Sequence, residues 1–215
     1  MHHSTILFDL DGTLTDPREG ITRSVQYALT KLGIDEPDLA ALEHFIGPPL
    51  LQCFMATYAL DEATGWQAVN HYRERFRVTG LYENRVFDGV ETLLEALVAQ
   101  GRTLYIATSK PTVFAEEIAR HFGFDRYFKR IYGSELDGTR TNKVELLAHL
   151  LDSERLAPGS ALMIGDRKHD LIGARSNGLQ AVAVGYGFGS SEELLGETPD
   201  FHFETLEEMR QAFIC

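Results

Sequence analysis

Two aspartates separated by one residue follow an apolar run near the start of the chain. Residues 6–8 have the composition of a buried strand, and Asp9 and Asp11 come directly after it. If the alternation of a strand continues, both carboxyl groups project from one face, and Gly12 ends the strand because glycine adopts backbone angles closed to other residues. Two like charges this close repel unless a divalent cation or a shared proton compensates them. Both devices serve catalysis, although Asp-Gly is also a common turn sequence.

Hydroxyl side chains follow a second predicted strand, residues 103–108. A hydroxyl group of Thr108 or Ser109 at this point can donate a hydrogen bond to a phosphate oxygen, and the N-terminus of the next helix adds backbone donors. Ser109 can instead cap the helix that we predict to begin near Pro111. The sequence therefore predicts phosphate-binding hydroxyls here, with helix capping as the alternative for Ser109.

A lysine lies at the start of the helix predicted over residues 142–151. The helix dipole slightly disfavours a cation at this end, so the position of Lys143 indicates a phosphate or carboxylate partner. An ordinary solvated lysine is the alternative. Lys110 is the competing candidate for the cation of the site, and spacing alone does not separate the two.

A second acidic pair follows the predicted strand 161–165. If a helix begins near Arg167, Asp170 can turn back toward Asp166. The alternative is one acid that caps the helix and one that is solvated. Carboxylates at two strand ends favour a hard cation, and oxygen ligands together with a phosphate substrate favour Mg²⁺ over zinc.

The elements that must position these residues alternate between strands and helices. From residue 84 onward, predicted strands at 103–108, 130–133, 161–165 and 180–184 are separated by helical patterns, which indicates parallel pairing. We predict an α/β fold with a doubly wound, Rossmann-like parallel sheet, in which ligands bind beyond the carboxyl ends of the strands. Residues 185–189 are rich in glycine but lack the dinucleotide-binding pattern, and we expect a flexible connection beside the site.

The segment from Pro17 to about Gly80 reads as four helices without a convincing strand. We predict a helical-bundle cap domain over residues 17–83, inserted into an α/β core domain that comprises residues 1–16 and 84–215. The chain has 215 residues, of which 44% are hydrophobic, and this is enough for one core and a smaller inserted domain.

Composition and charge exclude several classes of function. The net charge of −12 argues against nucleic-acid binding, which needs clustered basic residues. No run approaches the roughly 20 apolar residues of a membrane helix, and no basic leader with an apolar run opens the chain, so we expect a cytoplasmic protein without a membrane partner. Cys53 and Cys215 have no motif partner, and neither a disulfide framework nor a zinc site is expected.

Taken together, the motifs resemble those of the haloacid dehalogenase superfamily of phosphohydrolases. The matching residues, in the order of that family, are Asp9-Leu10-Asp11-Gly12-Thr13, Thr108, Lys143, and Gly165-Asp166 with Asp170. Helices inserted directly after the first motif resemble the branch that contains phosphoglycolate phosphatase, bacterial nucleotidases and β-phosphoglucomutase. The segments that most resemble phosphoglycolate phosphatase and 5′-nucleotidase-like members are Ile46-Gly47-Pro48-Pro49-Leu50 and Gly133-Ser134 with Leu136-Asp137-Gly138.

The resemblance implies a role for each of these residues. Asp9 is the nucleophile that forms an aspartyl-phosphate, and Asp11 first gives a proton to the leaving oxygen and then takes one from water. Thr108 and Lys143 hold the transferring phosphoryl oxygens. Mg²⁺ is held by oxygen ligands: Asp9, the backbone carbonyl of Asp11, Asp166, and Asp170 directly or through water.

These roles predict a Mg²⁺-dependent phosphatase that hydrolyses a small phosphorylated metabolite, similar to phosphoglycolate phosphatase. Within the family, a 5′-nucleotidase or a β-phosphoglucomutase-like enzyme is the alternative. Asp11 favours phosphoryl chemistry over dehalogenation, because dehalogenases of the superfamily lack the second aspartate. A phospho-accepting regulatory module is the alternative from another class, and the inserted helices and the second acidic pair argue against it. A catalytically inactive binding protein is disfavoured because Asp9, Asp11, Lys143 and Asp166 are all present.

Overall fold

The computed structural model describes residues 3–214. Two compact units divide the chain: one runs up to Asp16 and resumes at Val86, and the other is Pro17–Arg85. Cys53 forms no disulfide with any of the described residues, and Cys215 lies outside them. Within residues 3–214, no helix has both the length and the apolar character that a bilayer crossing requires. The cytoplasmic location stays a prediction.

The first half of the chain contains the inserted unit, Pro17–Arg85, and the elements on either side of it. Its elements are β1 (Thr5–Phe8), β2 (Thr15–Asp16), α1 (Arg18–Lys31), α2 (Leu50–Tyr58), α3 (Glu62–Arg75), β3 (Arg85–Val86) and α4 (Val90–Ala99). A 3₁₀-helix covers Ala40–Phe45, where the sequence pattern predicts a short helix, and a π-helix over Phe76–Gly80 continues α3. The predicted helical character of the insert is therefore confirmed, with tighter or wider turns at two places.

The second half of the chain alternates regularly. Its elements are β4 (Thr103–Pro111), α5 (Thr112–His121), β5 (Arg130–Ser134), α6 (Lys143–Glu154), β6 (Ala161–Gly165), α7 (Lys168–Ser176), β7 (Gln180–Val184), α8 (Ser191–Gly196), β8 (Phe201–Phe203) and α9 (Leu206–Ile214). Short 3₁₀-helices cover Asp125–Tyr127 and Pro158–Ser160. The edge strand β8 and the helices α8 and α9 are not among the elements predicted from the sequence.

A six-stranded parallel sheet organises the first unit, with the strand order β5-β4-β1-β6-β7-β8. The chain builds outward from β1 to one side through β4 and β5, and then to the other side through β6, β7 and β8. The predicted doubly wound fold is confirmed. The order reverses next to β1, and the crevice beyond the carboxyl ends of β1 and its neighbours is where such sheets bind ligands.

The central strand is buried along its whole length. Ile6, Leu7 and Phe8 have no exposed surface, and β6 is equally buried. Strands covered by helices on both faces have this continuous apolar sequence. Burial of these side chains fixes the register of β1, and thereby fixes where Asp9 leaves the sheet.

Strand β4 extends three residues further than predicted and carries an irregularity. Ala107 pairs with Tyr132 and Pro111 pairs with Ser134, so β4 advances four residues while β5 advances two. Extra residues on one strand form a bulge, which bends the strand and changes the direction of its side chains. The bulge lies in the segment that carries Thr108, Ser109 and Lys110.

The last residue of α6 ties this helix to two strands. Glu154 accepts hydrogen bonds from the hydroxyl groups of Tyr105 and Tyr132, at 2.8 and 2.7 Å, and from Lys129 Nζ at 2.7 Å. The hydrogen bond from Lys129, followed by that from Tyr132, lowers the pKa of the Glu154 carboxyl to about 2. The carboxylate is thus a polar junction between α6, β4 and β5.

We predict that Glu154→Gln removes a pH-dependent part of the folding stability. The unfolded chain protonates this carboxyl near its ordinary pKa, whereas the folded chain keeps it ionised down to about pH 2. Its stabilisation is therefore complete above the ordinary pKa and is lost as the pH falls toward 2. Urea unfolding at pH 5 and pH 3 should show the wild type more stable than the variant by a margin that shrinks at pH 3. The exposed Glu116→Gln is the control, and a margin that does not change with pH would contradict the prediction.

Candidate active site

Three carboxylates converge beyond the carboxyl ends of β1 and β6. Asp9, Asp166 and Asp170 each offer an oxygen atom, and these atoms lie within 4.8 Å of one another. The pairing of β1 with β6 brings the first two together, because Phe8 lies opposite Ile164 and the Asp9 amide donates to the Ile164 carbonyl at 2.9 Å. All three residues are at least 96% buried, at 4%, 0% and 1% exposure.

The first turn of α7 brings Asp170 into this group. The helix begins at Lys168, and Asp170 Oδ2 accepts a hydrogen bond from the backbone amide of Arg167 at 3.2 Å. A carboxylate in this position is also favoured by the helix dipole. Asp170 therefore turns back toward Asp166, and the alternative of a solvated second acid is wrong.

Asp166 is enclosed by neighbouring chain segments on several sides. Thr13 Oγ1 donates to Oδ1 at 3.2 Å, and the Phe188 amide donates to Oδ2 at 2.8 Å. A Cβ atom at Gly187 would overlap the Asp166 side chain, and so would one at Gly12, whose φ of 81° also favours glycine. The loop over residues 185–189 lies beside the site, as expected, and the Phe188 amide makes it part of the surroundings of Asp166. Its flexibility stays a prediction.

Lys143 supplies a positive charge in contact with two of the carboxylates. Its Nζ atom lies 3.0 Å from Asp9 Oδ1 and 2.7 Å from Asp170 Oδ1, and it donates to the Ala107 carbonyl at 2.8 Å. Burial alone lowers the pKa of the ammonium group, but Asp170 and Asp9 more than reverse this effect, so the pKa is raised. Carboxylate partners thus account for a cation at the N-terminus of α6, and the solvated alternative is wrong.

Lys110, the competing candidate, contacts a different aspartate. Its Nζ atom lies 2.8 Å from Asp11 Oδ2, and the two side chains are only 5% and 8% exposed. Burial raises the pKa of the Asp11 carboxyl, and Lys110 opposes the increase without cancelling it. The structure therefore assigns the two lysines to different aspartates: Lys143 to Asp9 and Asp170, and Lys110 to Asp11.

The two predicted hydroxyl residues lie in the bulge of β4. Thr108 is buried, and its Oγ1 accepts a hydrogen bond from the Lys110 amide at 3.3 Å. The Ser109 carbonyl accepts from Ser134 Oγ at 2.8 Å. Helix α5 follows Pro111 with none of the described side chains capping it, so the capping alternative for Ser109 is wrong.

The charges in this group fit a bound cation. Of the three acids, Asp9 and Asp170 contact the ammonium group of Lys143. Burial, together with the charges of Asp9 and Asp170, raises the pKa of Asp166 well above its ordinary value. Carboxylate oxygens are the ligands of a hard ion such as Mg²⁺. The Asp11 carboxylate points to Lys110 and is not in this group; a metal contact through its backbone carbonyl stays a prediction.

Sequence reasoning missed the groups that hold Asp166, namely Thr13, Gly187 and the Phe188 amide. Thr13 stands inside the first motif, so its position gave a usable signal. The Phe188 amide had none, because a backbone donor in a loop leaves no trace in residue type. The alternation of glycine at 185, 187 and 189 was the one indication of close approach to another segment.

The family model described as "Haloacid dehalogenase-like hydrolase" matches residues 6–184. The chain belongs to this family. The phosphatase of the haloacid dehalogenase family predicted from the motifs is therefore confirmed at the level of family and enzyme class. The match includes all four segments that carry Asp9, Thr108, Lys143 and Asp166.

Several relatives match nearly the whole chain. A 5′-nucleotidase of Pseudomonas aeruginosa is 72% identical over 99% of this chain and 96% of its own length. The tyrosine-protein kinase PtkA of Mycobacterium bovis is 38% identical over 96% of this chain and 71% of its own length. A phosphoglycolate phosphatase of Aliivibrio fischeri is 29% identical over 91% of this chain and 89% of its own length.

A solved structure has nearly the same backbone. The crystal structure of a predicted phosphatase from Clostridium acetobutylicum superposes with a TM-score of 0.97 at 43% sequence identity, and it covers 100% of this chain and 99% of the other. The fold is thus shared with a protein described as a phosphatase.

We predict that Gly187→Ala disturbs the acidic group, because the added Cβ atom collides with Asp166. Overpacking of this kind costs about 1–3 kcal/mol of folding stability. Urea unfolding and calorimetric titration with Mg²⁺ should show a less stable variant with weaker ion binding. Gly196→Ala is the matched control, since nothing lies within 4 Å of its added Cβ atom. Equal stability and equal ion affinity of the two variants would contradict the prediction.

Proposed function

We propose that this protein is a Mg²⁺-dependent phosphomonoesterase that works through an aspartyl-phosphate. The observation that supports it best is the convergence of Asp9, Asp166 and Asp170, with oxygen atoms within 4.8 Å of one another, beside a buried lysine. When bound, Mg²⁺ would be held by these carboxylates and by the Asp11 carbonyl, and it would reduce the repulsion between an anionic nucleophile and an anionic substrate.

Asp9 is the proposed nucleophile. One of its carboxylate oxygens forms a bond to phosphorus while the bond from phosphorus to the leaving oxygen breaks. Lys143 Nζ, 3.0 Å from Asp9 Oδ1, provides a positive charge where the transferring phosphoryl oxygens need it. The Thr108 hydroxyl accepts one hydrogen bond from the backbone and keeps its own hydrogen for a phosphate oxygen. Ser109 is proposed to contribute to the same phosphate site.

Asp11 is the proposed acid and base. Its carboxyl group gives a proton to the leaving oxygen, which departs as an alcohol, and the resulting carboxylate later takes a proton from the water that attacks the aspartyl-phosphate. That second step releases orthophosphate and restores Asp9. Support for this role comes from the burial of Asp11, which raises its pKa and favours the protonated form that the first step needs.

For the substrate, we propose a nucleoside 5′-monophosphate. The support is the P. aeruginosa relative, which is named 5′-nucleotidase and is 72% identical over almost the whole of both chains. Phosphoglycolate is the second candidate, because relatives with that activity in their names match at lower identity, 29% for the A. fischeri protein.

We predict that Asp9→Asn lowers turnover of p-nitrophenyl phosphate by at least about a thousandfold, since an amide cannot accept the phosphoryl group. The wild-type rate should fall when EDTA is added and return with excess Mg²⁺. Asp152→Asn, an exposed change on α6, should keep the wild-type rate. Activity that persists in Asp9→Asn would refute the nucleophile, and activity that persists in EDTA would refute the metal.

We also predict an order of substrates. Catalytic efficiency, kcat/KM, should be higher for nucleoside 5′-monophosphates than for phosphoglycolate or nucleoside 3′-monophosphates, because binding of the non-reacting part of the substrate supports the transition state. Release of orthophosphate across such a panel measures it directly. A higher kcat/KM for phosphoglycolate would contradict the proposed order and make phosphoglycolate the favoured substrate.

A further inference from the structure

Lys110 is a buried cation that no step above uses. Its side chain is 5% exposed, and its Nζ atom lies 2.8 Å from Asp11 Oδ2. An ammonium group loses much hydration free energy on burial, so a buried lysine needs oxygen atoms that accept its hydrogen bonds, and Asp11 Oδ2 is such an atom. Lys143 already provides the positive charge beside Asp9, the proposed nucleophile. The role of Lys110 must therefore be sought at Asp11.

The backbone around Lys110 is fixed by the bulge in β4. The Lys110 amide donates to Thr108 Oγ1 at 3.3 Å, and Ser134 Oγ donates to the Ser109 carbonyl at 2.8 Å. A bulge redirects side chains relative to the regular alternation of a strand. The bulge is held to β5 by the hydrogen bond from Ser134, so the backbone position from which the Lys110 side chain extends toward Asp11 is fixed.

The backbone of Asp11 is fixed as well, by a tight turn. The Gly12 amide donates to the Thr15 carbonyl at 2.8 Å, and the amides of Leu14 and Thr15 donate to the Leu10 carbonyl at 2.9 and 3.0 Å. The carboxyl group itself still rotates about its side-chain bonds unless an oxygen is bound. Lys110 binds Oδ2, whereas Oδ1 is buried and has no hydrogen-bond partner among the described residues.

We propose that Lys110 is a positioning residue, which binds Oδ2 of Asp11 and thereby presents Oδ1 as the atom that gives the proton to the leaving oxygen. This inference rests on the proposed function. It assigns the two oxygens different tasks: one is anchored, and the other exchanges the proton. The competing role for Lys110 is direct contact with the phosphoryl group, as the sequence alone allows.

The two roles differ in how they depend on the leaving group. An alkoxide, as in a nucleoside 5′-monophosphate, needs a proton as it departs, whereas p-nitrophenolate leaves without one. Loss of proton transfer therefore slows the alkyl ester selectively. Loss of a phosphate contact, or a purely structural defect, slows both esters alike.

The test compares kcat/KM of wild type and Lys110→Met on adenosine 5′-monophosphate and on p-nitrophenyl phosphate. We expect a loss of about a hundredfold on the nucleotide and of less than about fivefold on the aryl ester. Both esters are measured on one preparation, so their ratio does not depend on the folded fraction. Lys110→Gln, which keeps a donor, replaces the methionine variant if that does not fold, and Lys31→Met is the exposed control. An equal loss on both esters overturns the proposal.

A double-mutant cycle tests independently whether Lys110 acts through Asp11. In the Asp11→Asn background, adding Lys110→Met should lower kcat/KM for the nucleotide by less than about threefold, because the residue through which it acts is already gone. The inhibition constant of orthophosphate should be the same in wild type and Lys110→Met. Additive losses, or a weaker orthophosphate inhibition, overturn the proposal. A wild type that hydrolyses neither ester overturns the proposed function with it, whereas an active wild type with equal losses overturns the role of Lys110 alone.

Discussion

Repulsion between three buried carboxylates is the interaction to which the rest of this site responds. Asp9, Asp166 and Asp170 are held close together in a place with almost no solvent, where like charges interact strongly. Other interactions in the fold must offset the unfavourable free energy of this repulsion. Lys143 contributes by contacting two of the three, and the buried central strands contribute by fixing where the chain leaves the sheet.

The surroundings of Asp166 show how backbone groups share this task. The Phe188 amide and the Thr13 hydroxyl occupy its two oxygens, and neither brings a further charge into the site. Donors of this kind stabilise the ionised carboxylate while they leave the local charge negative. The glycine at 187 lets the loop approach closely enough for the amide to donate. Close packing of the loop and the negative charge of the acidic group are therefore parts of one arrangement.

The sequence predicted the fold class and the residues at the strand ends because both depend on local patterns. An apolar run followed by Asp9, or by Asp166, is visible without knowing any contact. A phosphate or carboxylate partner for Lys143 was expected from its place at the start of α6, but which aspartate each lysine contacts was not predictable. For Lys110 the contact depends on the bulge in β4, and pairing irregularities leave little trace in composition. The edge strand β8 has only three residues, which is too short for a period to be recognised.

The residues of the two lysine–carboxylate groups all lie in one of the two units, and this helps to explain why relatives are named for different activities. Every side chain in the two lysine–carboxylate groups belongs to the first unit, and Pro17–Arg85 supplies none of them. Phosphoryl transfer needs positioned charges at the reacting centre, and these can stay constant while the rest of the substrate varies. A 5′-nucleotidase and a phosphoglycolate phosphatase match 99% and 91% of this chain, as expected if one set of charges serves several phosphate esters. Discrimination between esters must then come from residues outside the acidic group, because a carboxylate and ammonium cluster that recognises only the phosphoryl group contributes equally to each of them.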